Sequence, residues 1–554
     1  MRFCKSLILV LPIVALLIVA ALAQNPRLGS IDFPTSGSAE SQAAFLRGVA
    51  AMHSFWYEEA LEAFQESTKI DPDFAMGHWG EAMTYNHPIW LQQDAEPARR
   101  ALARIKDTSR LLPHERAFIE AACVLYGEGD KLTRDLAYAA AMEKMHRDHP
   151  DNLEIATFYA LSLLGTVRPG EKGFARQMKA GAVALEVYQK NPNHPGAAHF
   201  VIHAFDDPEH AILALPAAFR YAQIAPAASH ARHMPSHIFL QLGMWAEAAA
   251  SNEVAWKVSD DWVKSKRLAL NLRDYHSNHW LTYVYCQQGR YSGAEGRIDF
   301  LRRTMKDHGR ESVRWYDDTV AAYIVESQRW ELAGKLFDSP PAQAAGDDHS
   351  SHASHGAAPA AAPKPAAAQT MVPNSRRGMS LPLFVRALAA ASTGAPNAEA
   401  LLAEMRANRG QGSDAYGAKL LEIRELEIAA LIAAAKKNFD EAISAMKRAT
   451  QLEEEMSPPS GPPSLIKPSH ELFGEILLAA GKPKEAATQF ATALSRQPNR
   501  ARSLLGAARA AAREGDKALA MERYAKLLGI WAEADPNLSE LREAREFAGQ
   551  ARAR

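Results

Sequence analysis

Residues 41–74 read SQAAFLRGVAAMHSFWYEEALEAFQESTKIDPDF, and the spacing of four side chains in this stretch decides the fold. Gly48, Ala60, Phe64 and Pro72 stand at positions 8, 20, 24 and 32 of a unit 34 residues long. Small residues at the first two positions let a pair of antiparallel helices approach closely. The aromatic ring fills the space that remains, and the proline ends the second helix. One such hairpin cannot cover its own apolar faces, so the pattern predicts further hairpins stacked against it.

The copies are present. Gly474, Ala486, Phe490, Ala493 and Pro498 repeat the template near the C-terminus, Gly506, Ala518 and Ala525 repeat it again, and Ala430, Ala442, Met446 and Ala449 fit more loosely. Degenerate copies centre on Ala248, Ala294 and Ala333. The pattern resembles the tetratricopeptide repeat family, closely over 41–74 and roughly 423–530, and in part between about 230 and 340. That resemblance implies an all-α fold, an α-α superhelical solenoid of helix-turn-helix repeats. It also implies an interaction scaffold that binds a protein, a peptide or another ligand in its concave groove. Between about 90 and 230 the chain stays helical by period but leaves the repeat spacing, with helices expected at Thr133–His146 and Leu153–Leu164. No segment reads as a strand.

Composition bounds the partners. With 63 basic and 64 acidic side chains among 554 residues there is no basic stripe, and neither nucleic acid nor an anionic membrane is expected as a partner. At the N-terminus Arg2 and Lys5 precede an apolar run from Leu7 to Leu22, which closes on Ala21-Leu22-Ala23. This predicts an export signal cleaved after Ala23, hence a periplasmic or secreted protein without stable membrane insertion. An uncleaved anchor is the alternative, since the run approaches spanning length; Pro12 and the small-residue ending favour cleavage. Beyond the signal, 24–40 is expected to be a flexible lead-in and 41–338 an N-terminal helical domain. Residues 339–376 are expected to form a disordered Ala/Pro/His linker and 377–554 a C-terminal repeat domain. Cys123 and Cys286 then remain, expected as two buried thiols.

Against this scaffold, His194–His237 stands apart, reading HPGAAHFVIHAFDDPEH and, further on, HARHMPSHIFLQLG, with seven of the twenty histidines. His199 and His203 lie one helical turn apart on one face, and His233 and His237 repeat that spacing. Two such pairs on adjacent helices predict four imidazoles around one divalent transition metal, with zinc or copper suited to the donors. His230, His210 and Asp206 are the further candidates, the last either completing the shell or orienting a ligand histidine. The same histidines also read as buried core residues bonded to carbonyls. The HPGAAHFVIH and HMPSHI blocks are similar to those of a group of exported bacterial tetratricopeptide proteins, which marks the block as a shared local feature and supplies no reaction.

A second set, His53, Trp56, His78, Trp79, His276, His279 and Trp280, falls on helices expected to line the concave face, and is the candidate ligand groove. No catalytic residue is assigned. The residues after His199 and His233 are Phe200 and Met234, so the zinc-protease HExxH signature is absent. Nor is there a G-x-S-x-G elbow, a phosphate loop or a dinucleotide fingerprint.

Overall fold

The computed structural model describes residues 27–337 except 169 and 172, then 380–408 and 415–552. The expected export signal and the central Ala/Pro/His segment, with His349, His352 and His355, lie outside these residues.

The described chain is an α-solenoid whose helices pair in sequence order. Its first hairpin joins Ala39–His53 to Tyr57–Ile70. Ser38 caps the opening helix by accepting from the Ser41 amide. Phe64 is fully buried, and its ring occupies the space that side chains at Gly48 and Gly80 would need. The same device recurs at the C-terminal end, where Phe490 packs between Gly474 and Gly506. Ala430, Ala442, Met446 and Ala449 are likewise buried, as expected.

The next copy differs. Gly515, at φ +84°, ends the helix Ala501–Glu514, and the following helix starts only at Lys517. The inward positions are therefore Ala520 and Tyr524, whereas Ala518 and Ala525 face solvent. At Ala333 the expected second helix is a single 3₁₀ turn, Trp330–Leu332.

The helices expected at Thr133–His146 and Leu153–Leu164 are observed at Lys131–Asp148 and Leu153–Leu164. One two-residue ladder, Asn86–His87 against Gln92–Gln93, is the only strand pairing among the described residues. None of their helices is long and apolar enough to cross a membrane.

Two expectations need correction. Residues 27–38, expected to be flexible, are tied down. Leu28, Ile31 and Phe33 are buried, the Ser30 amide donates to the Asn193 carbonyl at 3.0 Å, and the Ser36 amide donates to Glu115 at 2.8 Å. These buried apolar side chains and backbone hydrogen bonds anchor the strap despite its Pro and Gly content. Cys123 is exposed, since its helix is amphipathic and turns that position outward; Cys286 is buried, and both are free thiols.

The C-terminal repeats fold back on the middle of the chain. The Trp245 indole donates to the Asn499 carbonyl at 2.9 Å and the Trp531 indole to the Gln287 carbonyl at 3.0 Å. The Pro-rich loop 457–468 closes over this junction. Gly461 lies against Trp280, where a side chain would not fit, and the Gln241 amide donates to the Pro459 carbonyl at 2.9 Å.

Candidate metal centre

Four helical segments carry the histidines inward. Pro195–Ala204 begins at His194, whose Nδ1 accepts from the Ala197 amide, and presents His199 and His203 one turn apart. Ser229–His233 and Pro235–Gln241 are two short helices separated at Met234, the second starting on its proline. They bring in His230, His233 and His237. Tyr275–Gln287, capped by the Asp274 side chain, adds His276.

The six imidazoles sort into two adjacent triads, His199–His203–His230 and His233–His237–His276. Within each, one ring nitrogen of every member lies within 4.8 Å of the others. The triads adjoin each other: the rings of His203 and His237 are 6.1 Å apart and those of His230 and His233 6.0 Å apart. These separations match the 4.7 to 6.4 Å found inside the first triad.

The orientation of the rings is set by partners on their other nitrogens. His199 Nδ1–H donates to the His53 carbonyl at 2.7 Å. His233 Nδ1–H donates to Asn252 Oδ1 at 2.7 Å, and the Asn252 amide is itself fixed by donating to the Ala248 carbonyl at 2.8 Å. His237 Nδ1–H donates to Asp206 at 2.6 Å, while Gln241 donates to the other Asp206 oxygen at 3.1 Å. Each of these imidazoles is thereby left with its Nε2 lone pair pointing inward. His199 and His230 meet Nε2 to Nε2 at 3.2 Å, and His233 and His237 at 3.1 Å. Two nitrogens on one tetrahedral ion, each at about 2.0–2.1 Å, are roughly 3.3 Å apart.

Electrostatics hold the cluster neutral, the form that ligates metal. Burial lowers His203 and His237 to about 3 and His233 to about 4, with neighbouring imidazoles adding to the shift at His203 and His233. His199, His230 and His276 are driven well below the usual histidine value by burial and by the same neighbours. Burial pushes Asp206 up to about 7, against the Gln241 hydrogen bond and the neighbouring His203.

Two bulky residues beside the cluster adopt left-handed backbone angles, Phe55 at φ 52° and Trp315 at φ 62°. The Phe55 ring lies 4.3 Å from His199, and Trp315 lies 5.2 Å from His276. Such strain tends to collect at functional sites.

Phe55 sits in the turn of the first hairpin. Residues 41–74, which take in nearly all of that hairpin, match the tetratricopeptide repeat family. The hairpin is a tetratricopeptide repeat. No curated protein matches the chain. Among solved structures the chain is similar to yeast Tom70, at 12% identity over 93% of this chain and 89% of that one, with a TM-score of 0.27. It is also similar to a human IFIT1 dimer with PPP-AAAA, at 12% identity over 89% and 91%, with a TM-score of 0.34. The Cut9–Hcn1 hetero-tetramer of APC/C gives 11% identity over 97% and 81%, with a TM-score of 0.32.

The tetratricopeptide hairpin also contributes His53, at the end of its first helix. His53 and His194 bracket the buried Glu154 carboxylate at 2.8 and 3.0 Å. Burial alone would raise Glu154, but the two imidazoles outweigh it and hold the carboxyl at about 2. This third group is joined through the Glu154 carboxylate and leaves the buried His53 Nδ1 without a hydrogen-bond partner, and it too has a spacing that could hold a metal ion.

The expected site residues distribute as follows. His199, His203, His230, His233 and His237 converge, but on two centres rather than one. The backbone stays helical through Met234, and His230, at the start of this run, meets the His199 pair while His233 and His237 meet His276. Asp206 orients His237 from behind. His210 stays apart, bonded to Asp207 at 2.9 Å and packed on Phe174.

The expected groove does not assemble. Trp79 and Trp280 are each 1% exposed. Trp79 packs among Phe33, Phe45, Phe118 and Phe158, while Trp280 backs His233 and His237. His78 is bonded to the Pro72 carbonyl, and His279 stacks on Trp315. Of that set, Trp56 and His276 line one pocket, while His53 and His279 line two others. The spacing of HARHMPSH marks its three histidines as a unit. Nothing in sequence marks Asn252 or the His53 carbonyl as their support.

Proposed function

We propose that this chain is a metal-binding helical-repeat protein in which each histidine triad holds one divalent transition ion. The observation that carries the reading is the inward-facing Nε2 contact of His233 with His237 at 3.1 Å, where both rings already donate from Nδ1. Two neutral imidazoles so arranged set lone pair against lone pair and repel one another, and burial opposes a proton between them. A cation bound to both removes the conflict, and imidazole donors suit zinc, copper, nickel or iron(II). Each triad also leaves a fourth tetrahedral position open, the arrangement of a reactive rather than a purely structural ion.

The repeat scaffold and the metal reading are compatible. Repeat solenoids present extended surfaces to protein or peptide partners, and such a partner fits this chain too. An exported location, expected from residues 1–23, would expose the centre to metals outside the cytoplasm.

The test is elemental analysis of untagged protein lacking residues 345–356, stripped with a chelator and reloaded with zinc or copper. Two ions per chain are expected, falling to one in His203→Ala and in His276→Ala. A content below about 0.1 ion per chain would sink the reading.

A further inference from the structure

The two triads share one opening. A pocket open to solvent is lined by His230 from the first triad and by His276 from the second, together with Phe55, Trp56, Trp90 and Trp262. The walls are aromatic and arranged edge to face. Trp56 and Trp262 are 5.6 Å apart at 73°, Phe55 and Trp90 are 5.3 Å apart at 63°, and Trp90 stands 6.1 Å from His230. Polar and charged groups share the lining, with Glu58, Asp274, Arg273 and Arg314 among them.

Resting on the metal reading above, we propose that the two ions form one dinuclear centre that binds a small aromatic ligand with oxygen donors on its ring edge, of the phenolate or catecholate class. Three features converge on that class. Two ions side by side, each with an open position, favour an oxygen donor that one ion binds or both share. A pocket lined by one histidine of each triad is walled by indole and phenyl groups, whose faces select a flat ring by stacking. The ring edge, which carries the oxygens, then meets the ions, since a histidine of each triad lines the same pocket as the tryptophans. Glu58, whose carboxyl burial pushes up, is placed to accept or return the proton that an incoming phenol gives up on binding metal.

The experiment uses the full chain reloaded with copper(II) and desalted, its metal content measured first. It is then titrated with 4-nitrocatechol and followed by the visible absorption of the catecholate. One equivalent per chain is expected to bind, with a shifted band and with both ions retained after a second desalting. Cyclohexane-1,2-diol, which has the same oxygens without the ring, is expected not to compete. Trp90→Leu and Trp262→Leu are each expected to keep two ions and to weaken 4-nitrocatechol by about three- to tenfold. Both tryptophans are partly exposed, so two independent variants guard against a folding defect.

A protein that holds two ions but ignores 4-nitrocatechol, or binds it equally in both tryptophan variants, overturns the ligand proposal and leaves the metal reading standing. A protein that holds no ion overturns both. Removal of copper by the catechol, rather than binding to it in place, also overturns the proposal.

Discussion

His233 and His237 meet Nε2 to Nε2 at 3.1 Å, each held there by a hydrogen bond on its other nitrogen, to Asn252 and Asp206 respectively. A histidine that donates from one nitrogen to a carboxylate is a stronger ligand through the other, and its ring is fixed before the ion arrives. Asp206→Asn is therefore expected to weaken ion binding at this triad by about 10- to 100-fold, leaving the His199 triad unchanged. Competition against a chromogenic chelator resolves the two sites. Equal weakening of both, or of neither, would remove Asp206 from the centre.

Acid should unfold the metal-free protein. An unfolded histidine takes up its proton near 6.5, whereas burial holds His87 to about 4 and His279 to about 3. Between those values the unfolded chain binds more protons. The stability these groups confer is complete above 6.5 and is lost as pH falls through that window. Glu154 acts the same way lower down, between the ordinary glutamate value of 4.5 and about 2. Asp206 opposes them: raised from 3.8 to about 7, it favours the folded state in acid and loses that contribution as pH rises through this interval. One carboxyl acts against several imidazoles, so the Tm of chelator-treated protein is expected to be lower at about pH 5 than at about pH 7.5. A higher Tm at the acidic value contradicts the burial of these rings.

The packing around Phe64 offers a direct test of the repeat. Phe64→Ala empties a fully enclosed site and is expected to cost about 3–5 kcal/mol. Gly48→Ala places a methyl carbon 2.6 Å from the same ring and is expected to destabilise by about 1–3 kcal/mol. Combining Gly48→Ala with Phe64→Leu should recover part of that loss, since the two residues compete for one space. Urea unfolding of the metal-free protein measures all three. Additive losses in the double variant would show that they do not.

What sequence reveals here follows from what is local. The 34-residue spacing is legible because Gly48 and Phe64 touch within one hairpin, and the same holds for Gly474 and Phe490. It fails after Gly506, where the left-handed Gly515 delays the next helix and moves the inward positions to Ala520 and Tyr524. The histidine pairs are legible as one-turn spacings on a helix face. Their partition into two centres is not, because His230 and His276 join the triads across helices that only the tertiary fold brings together. Support from a backbone carbonyl, as at His53, leaves no mark on residue identity at all. The strap at 27–38 is misread for the opposite reason: its Pro and Gly suit a loop, yet Ile31 and Phe33 are buried against folded helices.

Arg500 joins the parts of the chain that flank the central Ala/Pro/His segment. It is 1% exposed, and its guanidinium binds Glu471 at 2.7 Å, Glu326 at 2.7 Å and the Tyr283 hydroxyl at 3.0 Å. Glu326 lies on the helix Tyr316–Ser327 and Glu471 on the helix Ser469–Ala479, so one cation bridges two elements far apart in sequence. Lys467 adds a second cation at 3.0 Å from Glu471, and Ser503 donates to the same carboxylate at 2.7 Å. Arg500→Met leaves two buried carboxylates short of their counter-charge and is expected to cost about 3–5 kcal/mol. Converting Glu326 and Glu471 to Gln in the same protein should return much of that loss, because the penalty comes from the uncompensated charge rather than from the missing bonds. Hydrogen exchange gives the readout that separates this from local damage. Protection is expected to fall in 316–327 as well as in 469–479, and to fall also in the loop 457–468 that meets Trp280 and Gln241 behind the second triad. Loss confined to the helix that carries Arg500 would mean that the two ends of the chain are held together by their apolar contacts alone.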